Sequence, residues 1–242
     1  MTVDDVRADV IAFCREYPAA ASLAYKIRDT QQELFGDQAT VERYGILAAA
    51  YFPRSRRVDI AASALRDHEE VARTLRHEVL GHYALNTFQP AHKRAILDAI
   101  GATRGNPAFA QTWSDVDTNY PGRSEIGKAE EVYCAFAEYA AAGRASSNGQ
   151  TALEQTCFSK QRPMTDRDLA AIVDHVADGL HRNTRRQQTF PATDAEQFRS
   201  AERTNDIKAS TYDERVADHR ETIRARRQQE TQRQDRGMSW RR

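Results

Sequence analysis

Two histidines and a glutamate lie close together in the chain, at His77, Glu78 and His82. Neutral imidazoles are common zinc ligands, and a carboxylate beside them can act as a general base toward a metal-bound water. Chelating histidines on a helix usually stand four residues apart, which leaves them about 40° apart around the helix axis. Here they stand five residues apart, so a regular helix would separate the two rings by about 140°.

Chelation by this pair requires one extra residue in the helical turn, which is a π-bulge. Gly81 precedes His82, and glycine tolerates such a distortion because it has no Cβ. We therefore predict a π-bulged helix if the two imidazoles bind one ion. The alternative is a pair of surface histidines on an ordinary amphipathic helix.

Adjacent acids at Glu130 and Glu131 enter an otherwise apolar helical segment further along the chain. Two neighbouring carboxylates are costly to bury without a cation, so this pair is the candidate source of a third ligand. The alternative is that both acids lie in a first helical turn, where the helix dipole favours them. Together with the histidines, the pair predicts a metal site with Zn2+ as the cofactor.

The elements that must position these residues are mostly helical, so the predicted fold class is α+β, helix-dominated. The apolar spacing predicts an amphipathic helix that ends before Pro18, a second helix at 19–34, and a hairpin with strands at 44–52 and 58–62. A helix capped by Asp67 follows and ends near residue 86. Further helices are predicted at 90–100 and 124–142, separated by a loop at 101–122, and a last helix is capped by Thr165 and Asp168.

The composition limits the class of protein. The 242 residues carry 35 Lys and Arg against 35 Asp and Glu, and this neutral balance is not the globally basic surface of many nucleic-acid-binding proteins. Three cysteines without C-x-x-C spacing predict neither a disulfide framework nor a cysteine zinc site. No segment approaches the roughly 18 apolar residues of a membrane span, and no signal-peptide core follows Met1. We expect a cytoplasmic protein with no membrane partner.

Large apolar residues become sparse near residue 183, which predicts a domain at 1–182 and a polar, Arg/Gln-rich tail, helical or flexible, at 183–242. Residues 203–242 contain eleven Arg and Lys against seven Asp and Glu. Within them Tyr212, Val216, His219 and Ile223 form a thin helical stripe. The tail is either a solvated helix or an arm that binds a protein partner.

The segment 74–83, TLRHEVLGHY, and the downstream acid pair resemble two groups of zinc enzymes. The pattern is similar to the HExxGH and EExx(A) signature of dipeptidyl-peptidase III. It resembles even more the zincin-like metallopeptidase domains carried by large polyvalent proteins of phages and conjugative plasmids. The resemblance covers roughly residues 44–142, and it implies a zincin-like metallopeptidase core.

By that resemblance the zinc ligands are His77, His82 and Glu131, and Glu78 is the general base. The same pattern gives Glu130 the role of orienting a ligating histidine.

The family pattern also has an acid four residues after the ligand glutamate, where this chain has Ala135, and the nearby acid is Glu138, further along the helix. Peptide hydrolysis further needs a donor for the oxyanion. Tyr120 is the first candidate for that donor, followed by Tyr83 and Arg123.

The leading hypothesis is a zinc metallopeptidase, an HExxGH gluzincin-like hydrolase that cleaves peptide bonds of a protein or peptide substrate. By family analogy it is a mobile-element or effector protease. One alternative is a catalytically inactive zincin-fold binding module that acts through protein–protein contacts. A weaker one is a DNA-binding accessory protein that uses its tail, and the neutral net charge counts against nucleic acid as a partner.

Overall fold

Helices dominate the computed structural model, which describes residues 1–41, 45–140 and 148–187. The α-helices are α1 (Val3–Glu16), α2 (Gln31–Phe35), α3 (His68–Leu75), α4 (Pro90–Gly101), α5 (Ala110–Asn119), α6 (Glu125–Ala137), α7 (Gly149–Ala152) and α8 (Asp166–His181). Helix α3 continues directly into a π-helical segment at Arg76–Tyr83, called the π-helix below, and a second π-helical segment covers Leu153–Phe158. A small sheet accompanies the helices, so the predicted α+β, helix-dominated class is confirmed.

Three strands form the sheet, β1 (Ala24–Arg28), β2 (Ala49–Phe52) and β3 (Arg57–Ala61). Strand β3 is central; it pairs with β1 in parallel and with β2 in an antiparallel hairpin. The hairpin register places Phe52 opposite Arg57 and Ala49 opposite Ile60. The predicted hairpin is therefore confirmed, with a shorter first strand.

The helix predicted at 19–34 is wrong. Pro18 begins a short 3-10 turn at Pro18–Ser22, and strand β1 and the short helix α2 occupy the rest of the segment. Leu23 and Ile27 in this segment are both buried. Residues four apart lie on one face of either a helix or a strand, so their spacing did not distinguish the two. The pairing of β1 with the distant β3 favours the strand, and this non-local interaction is not visible in the spacing.

The loop predicted at 101–122 is also wrong, because helix α5 lies within it. The buried side chains of Phe109, Trp113 and Val116 follow helical spacing and face the core. Asn106, a residue typical of loops, accepts a hydrogen bond from the backbone N–H of Ala108 at 3.0 Å and caps the turn before the helix. The polar composition therefore marked the helix boundary rather than a loop.

The two predicted helix caps are present. The Asp67 carboxylate accepts a hydrogen bond from the backbone N–H of Glu70 at 2.8 Å, but the Glu70 carboxylate accepts from the backbone of Arg66 rather than from that of Asp67. At α8 the side chains and backbones of Thr165 and Asp168 complete a reciprocal capping box. The cap before α3 fixes where the helix that leads into the histidine pair begins.

Residues 183–187 of the predicted tail pack against the domain. The Arg185 guanidinium lies 4.4 Å from the centre of the Phe88 ring, and the Gln187 side-chain amide donates to the Pro53 carbonyl at 3.0 Å. The predicted stripe from Tyr212 to Ile223 lies outside the described residues. None of the helices in the described part of the chain combines the length and hydropathy that a membrane span requires.

Candidate metal centre

The histidine pair lies on the π-helix, so the distortion that chelation requires is present. A π-helix bonds residue i to residue i+5, and residues five apart therefore lie on one face. The ring centroids of His77 and His82 are 5.2 Å apart. The predicted π-bulge is confirmed, and the two imidazoles face the same side of the helix.

Gly81 allows the π-helix to pack closely against α6. A Cβ built at this position would lie 2.6 Å from the Cys134 Sγ and 3.1 Å from the Cys134 Cα. Because part of this obstacle is backbone, a larger residue would push the two helices apart. The glycine is therefore required by close helix packing as well as being compatible with the π-helical distortion.

Glu131 faces both histidines from α6. Its side chain is 1% exposed, with Oε2 3.4 Å from the His77 Nε2 and Oε1 3.6 Å from the His82 Nε2. Neither carboxylate oxygen has a well-formed hydrogen bond within the described part of the chain. Ligands on a tetrahedral zinc with bonds of about 2.0 Å are about 3.3 Å apart, so the observed spacing fits a zinc site.

Each histidine has its outer ring nitrogen on a carboxylate. His77 Nδ1 lies 2.9 Å from Glu138 Oε1, and His82 Nδ1 lies 2.9 Å from Glu130 Oε1. Burial opposes ionisation of Glu130, yet the Lys93 ammonium at 3.0 Å and His82 hold the pKa of this carboxyl far below its ordinary value. This arrangement leaves both Nε2 atoms directed at one point, as in carboxylate–histidine–metal sites. Glu138 thus supplies the support that the sequence left in doubt.

The cluster is strongly polarised without a metal. Burial by itself lowers the pKa of His77, but Glu131 and Glu138 outweigh burial and raise this pKa to about 10. Burial likewise opposes ionisation of Glu131, while His77, His82 and Arg123 lower its pKa. Ionised carboxylates therefore surround a point that favours a cation.

Glu78 adds another buried acid to the cluster. It is buried, and its Oε2 atom has no hydrogen-bond partner within the described residues. Its charge raises the pKa of the Cys134 thiol, after the larger effects of burial and of Glu131. A buried acceptor without a partner is unusual in a folded protein, and a bound cation would satisfy it.

Cys134 is a second potential ligand that the sequence pattern did not single out. It follows Glu131 by three residues, so both face the same side of α6. Its Sγ and the ligand nitrogens of His77 and His82 all lie within 4.8 Å of one another. Of the two candidates, Glu131 carries the negative charge without a metal, whereas burial keeps the thiol of Cys134 protonated.

Two of the three candidate oxyanion donors border the site. The Arg123 guanidinium is 2.5 Å from Glu131 and 5.2 Å from the centre of the Tyr120 ring. Burial and the charge of Glu131 both raise the pKa of the Tyr120 hydroxyl, which places this residue beside the carboxylate. Tyr83 points elsewhere, because its ring packs edge-on against Tyr51 with centroids 6.0 Å apart.

Fold and site together define an α+β domain built around a histidine–carboxylate cluster. A curated relative, DNA primase TraC of Escherichia coli, is 38% identical to the chain over 195 residues. The aligned region covers 74% of this chain but 13% of the primase, so the chain spans a small part of the relative's length. No family model and no solved structure matches the chain.

This similarity contradicts the expected family and activity. The relative is a DNA primase, so the resemblance to dipeptidyl-peptidase III and to zincin-like metallopeptidase domains was misleading. The same finding contradicts three further predictions: zinc metallopeptidase or other protease and hydrolase activity, a protein or peptide substrate, and an inactive zincin-fold protein-binding module. It also contradicts the expectation that nucleic acid is an unlikely partner. Two imidazoles and a carboxylate define a way to hold a metal, and many functions share that ligand set.

Proposed function

We propose that the chain is a zinc-binding domain that contacts DNA as part of a DNA-priming protein. The similarity to a DNA primase supports the DNA contact, and the histidine–carboxylate cluster on the π-helix supports the metal. The single observation that carries the metal site is the convergence of both Nε2 atoms on the buried carboxylate of Glu131, at 3.4 Å and 3.6 Å.

The proposed ligands are His77, His82 and Glu131. Two imidazole nitrogens with one carboxylate suit zinc, whereas Mg2+ and Ca2+ prefer all-oxygen sites. Glu78 and Tyr120 extend the polar lining of the site, because Glu78 is a buried acceptor without a partner among the described residues and Tyr120 lies beside Glu131. A bound zinc ion would join the π-helix to α6 as a structural cross-link.

The ligand chemistry favours a supporting role in priming. Nucleotide transfer commonly uses Mg2+ held by carboxylates and substrate phosphates, and the cluster presents imidazoles instead. The site also stabilises the helix from which Tyr83 contacts β2. We therefore propose that the metal fixes the domain in the form that contacts DNA, with residues 1–182 as the domain and 183–242 as its tail.

Binding of the zinc-loaded full chain to a fluorescent single-stranded DNA tests this function. We expect binding that weakens steeply as salt is raised, since phosphate contacts release counterions. Chain stripped of metal with a chelator should bind more weakly, and re-addition of zinc should restore the affinity. Absence of DNA binding by the zinc-loaded chain at 50 mM salt would contradict the proposal.

Incorporation of labelled nucleotides on the same DNA tests the supporting role separately. We expect the isolated chain to form no product with zinc, Mg2+ or Mn2+. Template-dependent product that requires His77 and His82 would show instead that the cluster takes part in nucleotide transfer.

A further inference from the structure

The turn that joins β2 to β3 carries exposed arginines with no acidic partner among the described residues. Arg54 and Arg56 are exposed, and neither forms an ion pair within the described residues. Arg57 differs, because its guanidinium binds the buried carboxylate of Asp59 at 2.5 Å and lies 4.9 Å from the centre of the Phe52 ring. The anchored arginine fixes the base of the turn and leaves two guanidinium groups in solvent.

The backbone of the turn is held in an uncommon conformation. Arg56 has a φ of 47°, in the left-handed region that favours glycine or asparagine. Its carbonyl accepts a hydrogen bond from the backbone N–H of Ala24 at 2.9 Å, and its own N–H donates to Pro53. Such strain persists where surrounding contacts impose it, and it is frequent at ligand sites.

The segment 185–187 brings another exposed arginine beside this turn. Gln187 donates to the Pro53 carbonyl at 3.0 Å and accepts a hydrogen bond from the Tyr51 hydroxyl. Burial raises the pKa of Tyr51 and the positive charge of Arg56 opposes that rise, so Arg56 also lies near this hydroxyl. Arg186 directly precedes Gln187 in the chain, and it is exposed and without an ion pair in the described part.

We infer that Arg54, Arg56 and Arg186 form a contact surface for the phosphate backbone of DNA, called the basic turn below. This inference rests on the proposed function, and it assigns the DNA contact to a surface distinct from the metal cluster. No carboxylate among the described residues competes for these guanidinium groups, and guanidinium groups bind phosphate well. Arg186 belongs to the predicted tail at 183–242, in which residues 203–242 contain eleven Arg and Lys against seven Asp and Glu.

The test compares two triple variants of the full, zinc-loaded chain with equal change in net charge. One replaces the basic turn (Arg54→Gln, Arg56→Gln, Arg186→Gln). The control replaces exposed arginines that are already ion-paired (Arg7→Gln, Arg66→Gln, Arg94→Gln). We expect the first to weaken binding of a labelled single-stranded DNA about tenfold or more and to reduce the salt slope by about 2, and the control to change neither appreciably.

The outcomes separate the two proposals. If wild-type chain binds no DNA, both the proposed function and the basic turn are contradicted. If wild-type chain binds and the two triple variants behave alike, the basic turn is contradicted while the proposed function stands. Lysine at the same three positions should retain the wild-type slope, and a slope as low as that of the glutamine variant would contradict a charge-based contact.

Discussion

The metal cluster and the basic turn present opposite charges in opposite surroundings. At the cluster, acids are buried and converge on two histidines, whereas at the turn exposed arginines have no acidic partner among the described residues. These surroundings are the reason we propose a cation at the cluster and an anion at the turn. Since the chain has 35 charges of each sign, its net charge reports neither region. The prediction that nucleic acid is an unlikely partner was wrong because it used the net charge of the whole chain, which hides local differences in charge.

A short path of contacts joins the two regions. Tyr83 ends the π-helix and packs against Tyr51 of β2, and the Tyr51 hydroxyl holds Gln187 beside the turn. We therefore expect changes at the cluster to have a large effect on metal binding and a smaller, indirect effect on the turn.

The largest expected effect separates the two candidate third ligands. Glu131→Gln removes a charged ligand and should lower zinc affinity by more than about 100-fold in a chelator competition. Cys134→Ala removes a protonated thiol and should change that affinity by less than about threefold. Retention of zinc by the Glu131 variant together with its loss from the Cys134 variant would assign the third ligand to the cysteine.

Removing the outer carboxylates should give the next largest effect. Glu138→Gln or Glu130→Gln leaves each ligand in place but no longer fixes its ring by a charged acceptor, so zinc affinity should fall about 10- to 100-fold. Glu125→Gln on the same helix, 71% exposed, is the matched control and should leave affinity unchanged. Equal affinities for all three variants would contradict the orienting role of these acids.

Gly81→Ala should reduce stability through packing alone. The added methyl group meets Cys134, so the free energy of unfolding in urea should fall by about 1–3 kcal/mol. Gly101→Ala, where a Cβ has nothing within 4 Å, should not be destabilising. Adding Cys134→Ala to the Gly81 variant should recover part of the loss, and its failure to do so would place the strain elsewhere.

Asp168 provides the smallest effect and a reference outside both regions. Hydrogen bonds from Arg162 and Thr165 hold its pKa well below its ordinary value of 3.8. Its stabilisation is therefore present above that pH and is lost as the pH falls toward the lower folded value. Asp168→Asn should cost about 1 kcal/mol near pH 7, with the difference from wild type shrinking below about pH 4. Asp166→Asn, in the same turn, is the control; a difference that grows in acid would contradict this assignment.

Local signals in the sequence predicted much of the fold that surrounds the site. The hairpin and the caps at Asp67 and Thr165 depend on neighbouring residues, and the five-residue histidine spacing predicted the π-helix on the condition that both rings bind one ion. Strand β1 was missed because its partner β3 is distant in sequence, and α5 because its capping residues resembled a loop. Cys134 and Glu138 follow Glu131 at helical spacing, three and seven residues on, but only helix packing shows that this face of the helix meets the histidines.

The activity was the least predictable part of the molecule. The histidines and the acid pair predict a set of metal ligands, whereas peptide hydrolysis was implied only by the family resemblance. The 38% identity to a DNA primase separates the two inferences: the ligand set stays a proposal, whereas the peptidase reaction is contradicted.

Metal content of the purified chain, measured by mass spectrometry after zinc loading and desalting, tests the central claim most directly. The account predicts about one zinc per chain in the wild type and its loss in His82→Ala, because one of three ligands is then missing. A wild-type chain that retains no zinc, or a variant that retains as much as the wild type, would contradict the metal centre.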